Sequence, residues 1–286
     1  MEISASRLEI LKKIDEYERL GIFDRDVEND PPARPLFAGE VDFMRKKLFS
    51  RLKTAFANRT AKRYFDNCLK KGLFVIKEVR GEENFIAVKD SGLIVTANHF
   101  NPFDNYAVYK ALLPHLGRKK LYKVIREGNY TGFPGLFGFF FRNCDTLPIP
   151  SRTSVLREMT VAVDELLKKG EKILIYPEQS MWWNYKKPKP LKIGAYHFAA
   201  KAGVPVLPIF ITLEDTDKLD PDGYPVQAYT VHILPAICPD KNAGVRAAAN
   251  KMCEENYAVW KEIYESVYGV PLTYTTEGAE VRPCST

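Results

Sequence analysis

The sequence predicts an α/β fold, a mixed and largely parallel sheet flanked by helices, with a helical extension ahead of it. Strand-length apolar runs such as Leu93-Ile94-Val95-Thr96-Ala97 and Ile173-Leu174-Ile175 alternate with helix-period stretches such as Val155 to Leu167. The chain has 286 residues, enough for one large core. Its 45% hydrophobic and 27% charged residues are ordinary for a globular protein.

Residues 1–72 read as the helical extension. Met1 begins a polar, charged segment, Glu2 to Arg19, unlike the basic start and apolar stretch of a secretory signal. From Arg45 to Lys77 there are eleven Lys or Arg and one acid, Asp66, while Met44, Leu48, Leu52 and Phe56 recur every fourth residue. Such a basic amphipathic helix fits an anionic membrane interface, so residues 1–72 are a candidate interface element. The same stripe equally fits docking on the rest of the chain, with the basic face solvated.

Residues 73–270 read as one α/β domain. Leu73 to Val79 and Phe85 to Val88 are read as strands around the polar turn Arg80 to Asn84, and Leu93 to Ala97 as the next strand. Pro102 suits the first turn of a helix, where its missing N–H is unpaired anyway, and Tyr106 to Leu113 continues it. Leu121 to Ile125 is a further strand. Phe133 to Phe141 holds five phenylalanines in nine residues, interrupted by Gly135 and Gly138, which argues against a long helix there.

Val155, Leu156, Met159, Val163, Leu166 and Leu167 share a helical face that stops at Gly170. Lys172 to Tyr176 is a strand and Tyr196 to Ala202 a short helix ended by Gly203. Val206 to Leu213 and Tyr229 to Leu234 are strands, and Ala243 to Tyr268 a terminal helix. Residues 271–286 carry few apolar side chains and read as a loose tail.

The five cysteines, Cys68, Cys144, Cys238, Cys253 and Cys284, contain no Cys-x2-Cys pair. Neither a disulfide framework nor a zinc site is implied, and a reducing cytosolic setting is favoured. No stretch approaches the ~18 to 20 apolar residues of a membrane-crossing helix. The expected location is therefore cytoplasmic, peripheral to the inner face of the membrane. Nucleic acid would call for exposed aromatics interleaved with basic residues, and Arg63-Tyr64-Phe65 offers only a faint version.

The chemistry concentrates at Asn98-His99-Phe100-Asn101-Pro102-Phe103-Asp104. A strand delivers His99 to its carboxyl end, and the following turn lets Asp104 approach the imidazole. Imidazole titrates near neutrality and can take a proton from a hydroxyl, while a carboxylate on its other nitrogen fixes the tautomer. A second segment, Tyr176-Pro177-Glu178-Gln179-Ser180-Met181, follows a strand in the same way. Ligands in such sheets collect beyond the carboxyl ends of strands, where His99 and Glu178 both fall. His115, His197 and His232 lack partners in sequence and read as structural.

In this order the blocks resemble the glycerophospholipid acyltransferase family that includes 1-acylglycerol-3-phosphate acyltransferase. Its Asn-His-x4-Asp block is matched at Asn98, His99 and Asp104. Its Gly-rich aromatic block ending in a basic residue is similar to Gly138 to Arg142. Its aromatic-Pro-Glu-Gly-Thr-Arg block is met in part by Tyr176 to Met181, and its Val-Pro block by Val204, Pro205 and Pro208. Coverage runs from about Leu93 to Ile211.

The resemblance implies an acyltransferase that moves a fatty acyl group from acyl-coenzyme A or acyl-carrier protein to a hydroxyl of a lysophospholipid. His99 would be the base and Asp104 its orienting partner, with no cofactor and no metal. Glu178 would bind acceptor hydroxyls or arrange the site, and Asn98 would steady the turn. Arg142 is assigned to acceptor phosphate, with an ion pair to Asp145 as the alternative, and the phenylalanines before it to an acyl-chain wall, an interface element or a plain core loop.

Gln179 and Met181 depart from the family's Gly and Arg. Met cannot grip phosphate as a guanidinium does. Ser180 lies between them in the same acceptor block, and nothing places a second base beside it. Lys186, Lys187 and Lys192 lie nearby as substitute point charges for phosphate, or as a solvated basic loop. The departures leave open a non-glycerolipid acceptor, a glycan or an amino-alcohol lipid. Hydrolysis of the thioester and a non-catalytic membrane-binding role stay open as well.

Overall fold

Apart from Thr96, the run Leu93–Ala97 carries only apolar side chains, and all five residues are buried. A strand covered on both faces belongs in the middle of a sheet. The computed structural model, which describes residues 4–278 and 281–285, places it there. The first three residues of the charged start, and residues 279, 280 and 286 of the tail, lie outside the described residues.

Along the chain run α1 (Ala5–Leu20), α2 (Leu48–Lys70), β1 (Val75–Arg80), α3 (Glu82–Ile86), β2 (Leu93–Ala97), α4 (Asp104–Leu116), β3 (Leu121–Arg126), α5 (Glu127–Gly132) and α6 (Gly135–Asn143). Then follow β4 (Thr146–Ile149), α7 (Thr153–Lys168), β5 (Lys172–Ile175), β6 (Leu191–Lys192), α8 (Gly194–Ala202), β7 (Val206–Leu219), β8 (Pro225–Ile233), α9 (Val245–Tyr268) and β9 (Cys284–Ser285). Seven strands form one sheet in the order β1-β8-β7-β2-β5-β3-β4. Only β7 and β8 pair antiparallel, so the sheet is mixed and largely parallel.

Side-chain alternation along β2 sorts the two faces. Leu93, Val95 and Ala97 pack with Phe85 of α3 and Tyr106, Val108 and Leu112 of α4. Ile94 points the other way, into a core built from α7, α8 and α9, and the Thr96 hydroxyl donates to Asn256 of α9 at 2.6 Å. Register aligns Thr96 with Ile175 of β5, so the segments after β2 and β5 leave the sheet side by side. That adjacency brings the two chemical blocks together.

Several expectations are corrected. Phe85 to Val88 is not a strand: Gly81, in the left-handed region at φ 77°, turns the chain into α3. Glu82 and Glu83 suit that helix's first turn, and Phe85 becomes a buried anchor. The Phe-rich run holds only a short helix, the nine-residue α6, as its glycines led one to expect. On α7, Leu156 turns outward from the face it was expected to share. Cys253 and Cys284 form a disulfide, with Cα atoms 6.3 Å apart.

The described tail is not loose. β9 pairs with β6, Thr275 and Thr276 bind the Glu18 carboxylate and carbonyl, and the Tyr274 hydroxyl donates to Pro188 O.

The extension divides in two. Through Ile14, with Phe23 and Val27 beyond its end, α1 packs on Trp182 of the third block's loop. The C-terminal half of α2 docks on the domain, where Tyr106 donates to Asp66 at 2.7 Å and Tyr64 meets Phe137 and Phe140. Its N-terminal half leaves Leu48, Phe49, Leu52 and Phe56 between 61% and 71% exposed. Among the described residues no helix is long and apolar enough to cross a membrane.

Candidate active site

His99 leaves the end of β2 and Asp104 opens α4, so one tight turn separates them. The imidazole Nδ1 lies 2.7 Å from Asp104 Oδ2. That oxygen also accepts the Phe100 and Asn101 N–H groups at 3.0 and 3.2 Å. An oxygen already receiving two donors can only accept, so Nδ1 carries a proton, and in the neutral imidazole the lone pair lies on Nε2.

Asp104 is fully buried, and its other oxygen accepts the Tyr176 hydroxyl at 2.6 Å. The Tyr176 ring stacks on the imidazole with centroids 4.0 Å apart. Burial, reinforced by Asp104, pushes the Tyr176 hydroxyl well above the usual tyrosine range, which keeps it a donor. About a quarter (26%) of the His99 side chain stays exposed.

Beneath this dyad lies a buried ion pair. Glu178 Oε2 accepts the His99 N–H at 3.0 Å and faces Lys189 Nζ at 3.3 Å, while Oε1 accepts the Lys189 N–H at 2.9 Å. Lys189 Nζ also donates to Ser180 O at 2.7 Å and Ser180 Oγ at 3.0 Å. Burial pulls Lys189 below the ordinary lysine range, and Glu178 opposes that pull. The third-block loop is laced to the first block as well, Trp182 N–H donating to His99 O and Asn184 N–H to Phe100 O.

The structure brings His99, Asp104 and Glu178 together and places the other named residues elsewhere. Asn98 spends its amide on β7, donating to Ile211 O at 3.0 Å and accepting from Ile211 N–H at 2.8 Å, so it prolongs the sheet and faces no ligand space. Arg142 does not pair with Asp145. Its guanidinium donates to the Tyr130 and Phe133 carbonyls across the α5–α6 corner. Gly138 makes room for this, since a Cβ there would sit 1.9 Å from Phe133 O. Asp145 instead pairs with Lys120 and Asn58.

Ser180 is buried, donating to Phe23 O at 2.6 Å, which leaves its hydroxyl no access to a substrate. Gln179 adopts φ 62°, the left-handed backbone that favours glycine, and its carbonyl accepts from Arg126 at 2.7 Å. Lys186 faces Asp215 at 3.9 Å, Lys187 pairs with Glu18 at 2.6 Å, and Lys192 pairs with Asp24 at 3.1 Å. His115 and His232 bind Glu82 and Thr212.

Sequence reasoning missed Tyr176 and Lys189 as site residues. A tyrosine where the block begins, one strand over from His99, was a usable signal for the first. Nothing local singles out Lys189 among four neighbouring lysines.

Residues 77–212 match the family model described as Acyltransferase. A 1-acyl-sn-glycerol-3-phosphate acyltransferase of Chlamydomonas reinhardtii is 30% identical over 193 residues, covering 65% of this chain and 54% of its own length. A chloroplastic 1-acyl-sn-glycerol-3-phosphate acyltransferase of Brassica napus is 29% identical over 155 residues, 52% of this chain and 40% of that one. The chain thus spans about half, or less, of the length of these curated relatives. Among solved structures, the 1-acyl-sn-glycerophosphate acyltransferase of Thermotoga maritima aligns with a TM-score of 0.49 and 21% identity over 78% of this chain and 81% of that one.

Proposed function

Because residues 77–212 form an acyltransferase domain of the glycerophospholipid acyltransferase family, we propose that this chain moves a fatty acyl group from an acyl thioester to a lysophospholipid hydroxyl. The observation that carries the reading is the His99 imidazole, held through Nδ1 by a buried carboxylate with Nε2 left for chemistry.

A lipid hydroxyl is too weak an acid to attack a thioester unaided. Nε2 of His99 takes its proton as the oxygen adds to the acyl carbonyl, and Asp104 stabilises the imidazolium that forms. Collapse of the tetrahedral intermediate breaks the carbon–sulfur bond and forms the ester. The departing thiolate then recovers the proton from the imidazolium. Glu178 holds the His99 backbone, so the base starts from a fixed position.

The donor is acyl-coenzyme A or acyl-carrier protein, and the chemistry asks for no cofactor. An anionic membrane supplies the acceptor at the exposed Leu48, Phe49, Leu52 and Phe56 of α2, which Lys46, Lys47, Arg51 and Lys53 surround in sequence. On this reading the protein works as a peripheral enzyme at the cytoplasmic face of a membrane.

The test is transfer of labelled acyl groups from each donor to a panel of lysophospholipids in anionic vesicles. Acylated product is expected, with less vesicle binding and less product for Leu52→Gln/Phe56→Gln. Thioester cleavage that proceeds equally well without any acceptor would overturn the transferase reading in favour of hydrolysis.

A further inference from the structure

Three cations around the third block are paired with the extension. Lys187 meets Glu18 and Lys192 meets Asp24, while Arg126 meets Asp26 and, at 3.4 Å, Asp30. Within these pairs three cations face four carboxylates. The acidic segment is seated firmly on the block: Asp26 Oδ1 accepts the Met181 N–H at 2.7 Å, and Arg25 O accepts the Trp182 indole N–H at 2.8 Å. Met181 stands where the family carries an arginine, so its backbone meets a carboxylate where a guanidinium would otherwise meet phosphate.

This rim is bonded to the backbone on either side of Glu178. Arg126 binds the carbonyl of Gln179, whose neighbour Glu178 holds His99, and the Lys192 N–H donates to Pro177 O. A phosphomonoester dianion brought here would find each cation partly neutralised and two half-exposed carboxylates, Asp24 at 49% and Asp30 at 42%, facing it. Like charges at a binding rim reject a ligand more effectively than a missing contact does.

We propose that Asp24, Asp26 and Asp30 are specificity-determining residues that turn this site away from phosphomonoester acceptors and toward lyso-acceptors whose headgroup carries no net negative charge. The inference rests on the acyl transfer proposed above and names the charge class of its acceptor.

The experiment compares lysophosphatidic acid with lysophosphatidylcholine and monoacylglycerol of the same chain length, using the full chain and Asp24→Asn/Asp30→Asn. Both replaced side chains are half-exposed, so folding is not at stake, and Asp26 keeps its bond to Met181. Wild type is expected to favour the zwitterionic and neutral acceptors in kcat/KM. The variant should move the ratio toward lysophosphatidic acid by about tenfold, the order expected when partly exposed charges are removed. A wild-type preference for lysophosphatidic acid, or a ratio unchanged in the variant, overturns the proposal.

If wild type acylates none of the three, the transfer reading fails separately. Equilibrium binding of the same lipids then decides the charge question: an affinity ratio that shifts about tenfold in the variant supports it, and an unchanged ratio overturns it.

Discussion

Replacing Lys189 by Met removes the cation from an ion pair whose side chains are only 1% and 2% exposed. Glu178 would keep its two backbone N–H donors, from His99 and Lys189, but would lose the charge 3.3 Å away, and Ser180 would lose its donor. Breaking a buried pair by deleting one partner costs about 3–5 kcal/mol, because the surviving charge stays desolvated. For a chain of this size each kcal/mol moves Tm by about 2–4 °C, so a fall of roughly 10 °C is expected.

Glu178→Gln should cost less. Lys189 already lies below the ordinary lysine range through burial, and without its counter-charge it can shed its proton. The double variant Glu178→Gln/Lys189→Met removes both charges, and its loss should fall short of the summed single losses by about 2 kcal/mol. Urea unfolding of wild type, both single variants and the double variant closes the cycle. A Lys189→Met loss under about 1 kcal/mol, or an additive double variant, would refute the idea that this pair braces His99.

Three further outcomes are expected. Gln179→Gly should stabilise the fold by about 1 kcal/mol, because Gln179 sits at φ 62°; urea unfolding reads it. Tyr176→Phe should lower kcat about tenfold with little change in KM, since a hydrogen bond to a charged carboxylate is worth about 1.5–3 kcal/mol and this one steadies Asp104 rather than the substrate. Burial holds His232 down at about 4 against an ordinary 6.5, so folding excludes its proton. The stability this provides is complete above 6.5 and drains away as pH falls through 6.5 toward about 4. Over that window wild type should lose on the order of 2 kcal/mol more than His232→Gln, after allowance for partial solvent access, in thermal melts.

What was legible in the sequence was what local spacing controls. His99 and Asp104 lie on a single turn, so their approach needed only a strand before it and a helix after it. The parallel core was legible because Leu93 to Ala97 and Lys172 to Ile175 are apolar runs separated by helix-period stretches, and their adjacency put Glu178 near His99.

What was not legible is set by contacts between distant segments. Lys189 is one of four lysines in a loop, and only the packing of that loop against Glu178 and Ser180 makes it the buried one. Of the lysines chosen for phosphate, Lys187 and Lys192 are claimed by acids of the extension, in one case 169 residues away in sequence, and Lys186 faces Asp215 of β7. Cys253 and Cys284 are 31 residues apart and match no spacing pattern, so their bond depends on the tail returning to α9. Phe85 to Val88 was misread because a short apolar run suits strand and helix alike, while Gly81-Glu82-Glu83 held the helix-start signal.

The role of His99 is tested most directly by the rate of acyl-ester formation, matched to thiol release, for wild type and His99→Ala at saturating thioester and lysophospholipid. Wild type is expected to form one ester per thiol released, and His99→Ala to be slower by about a thousandfold or more with the fold intact. Ester formation by His99→Ala at close to the wild-type rate would contradict a general-base histidine at this site.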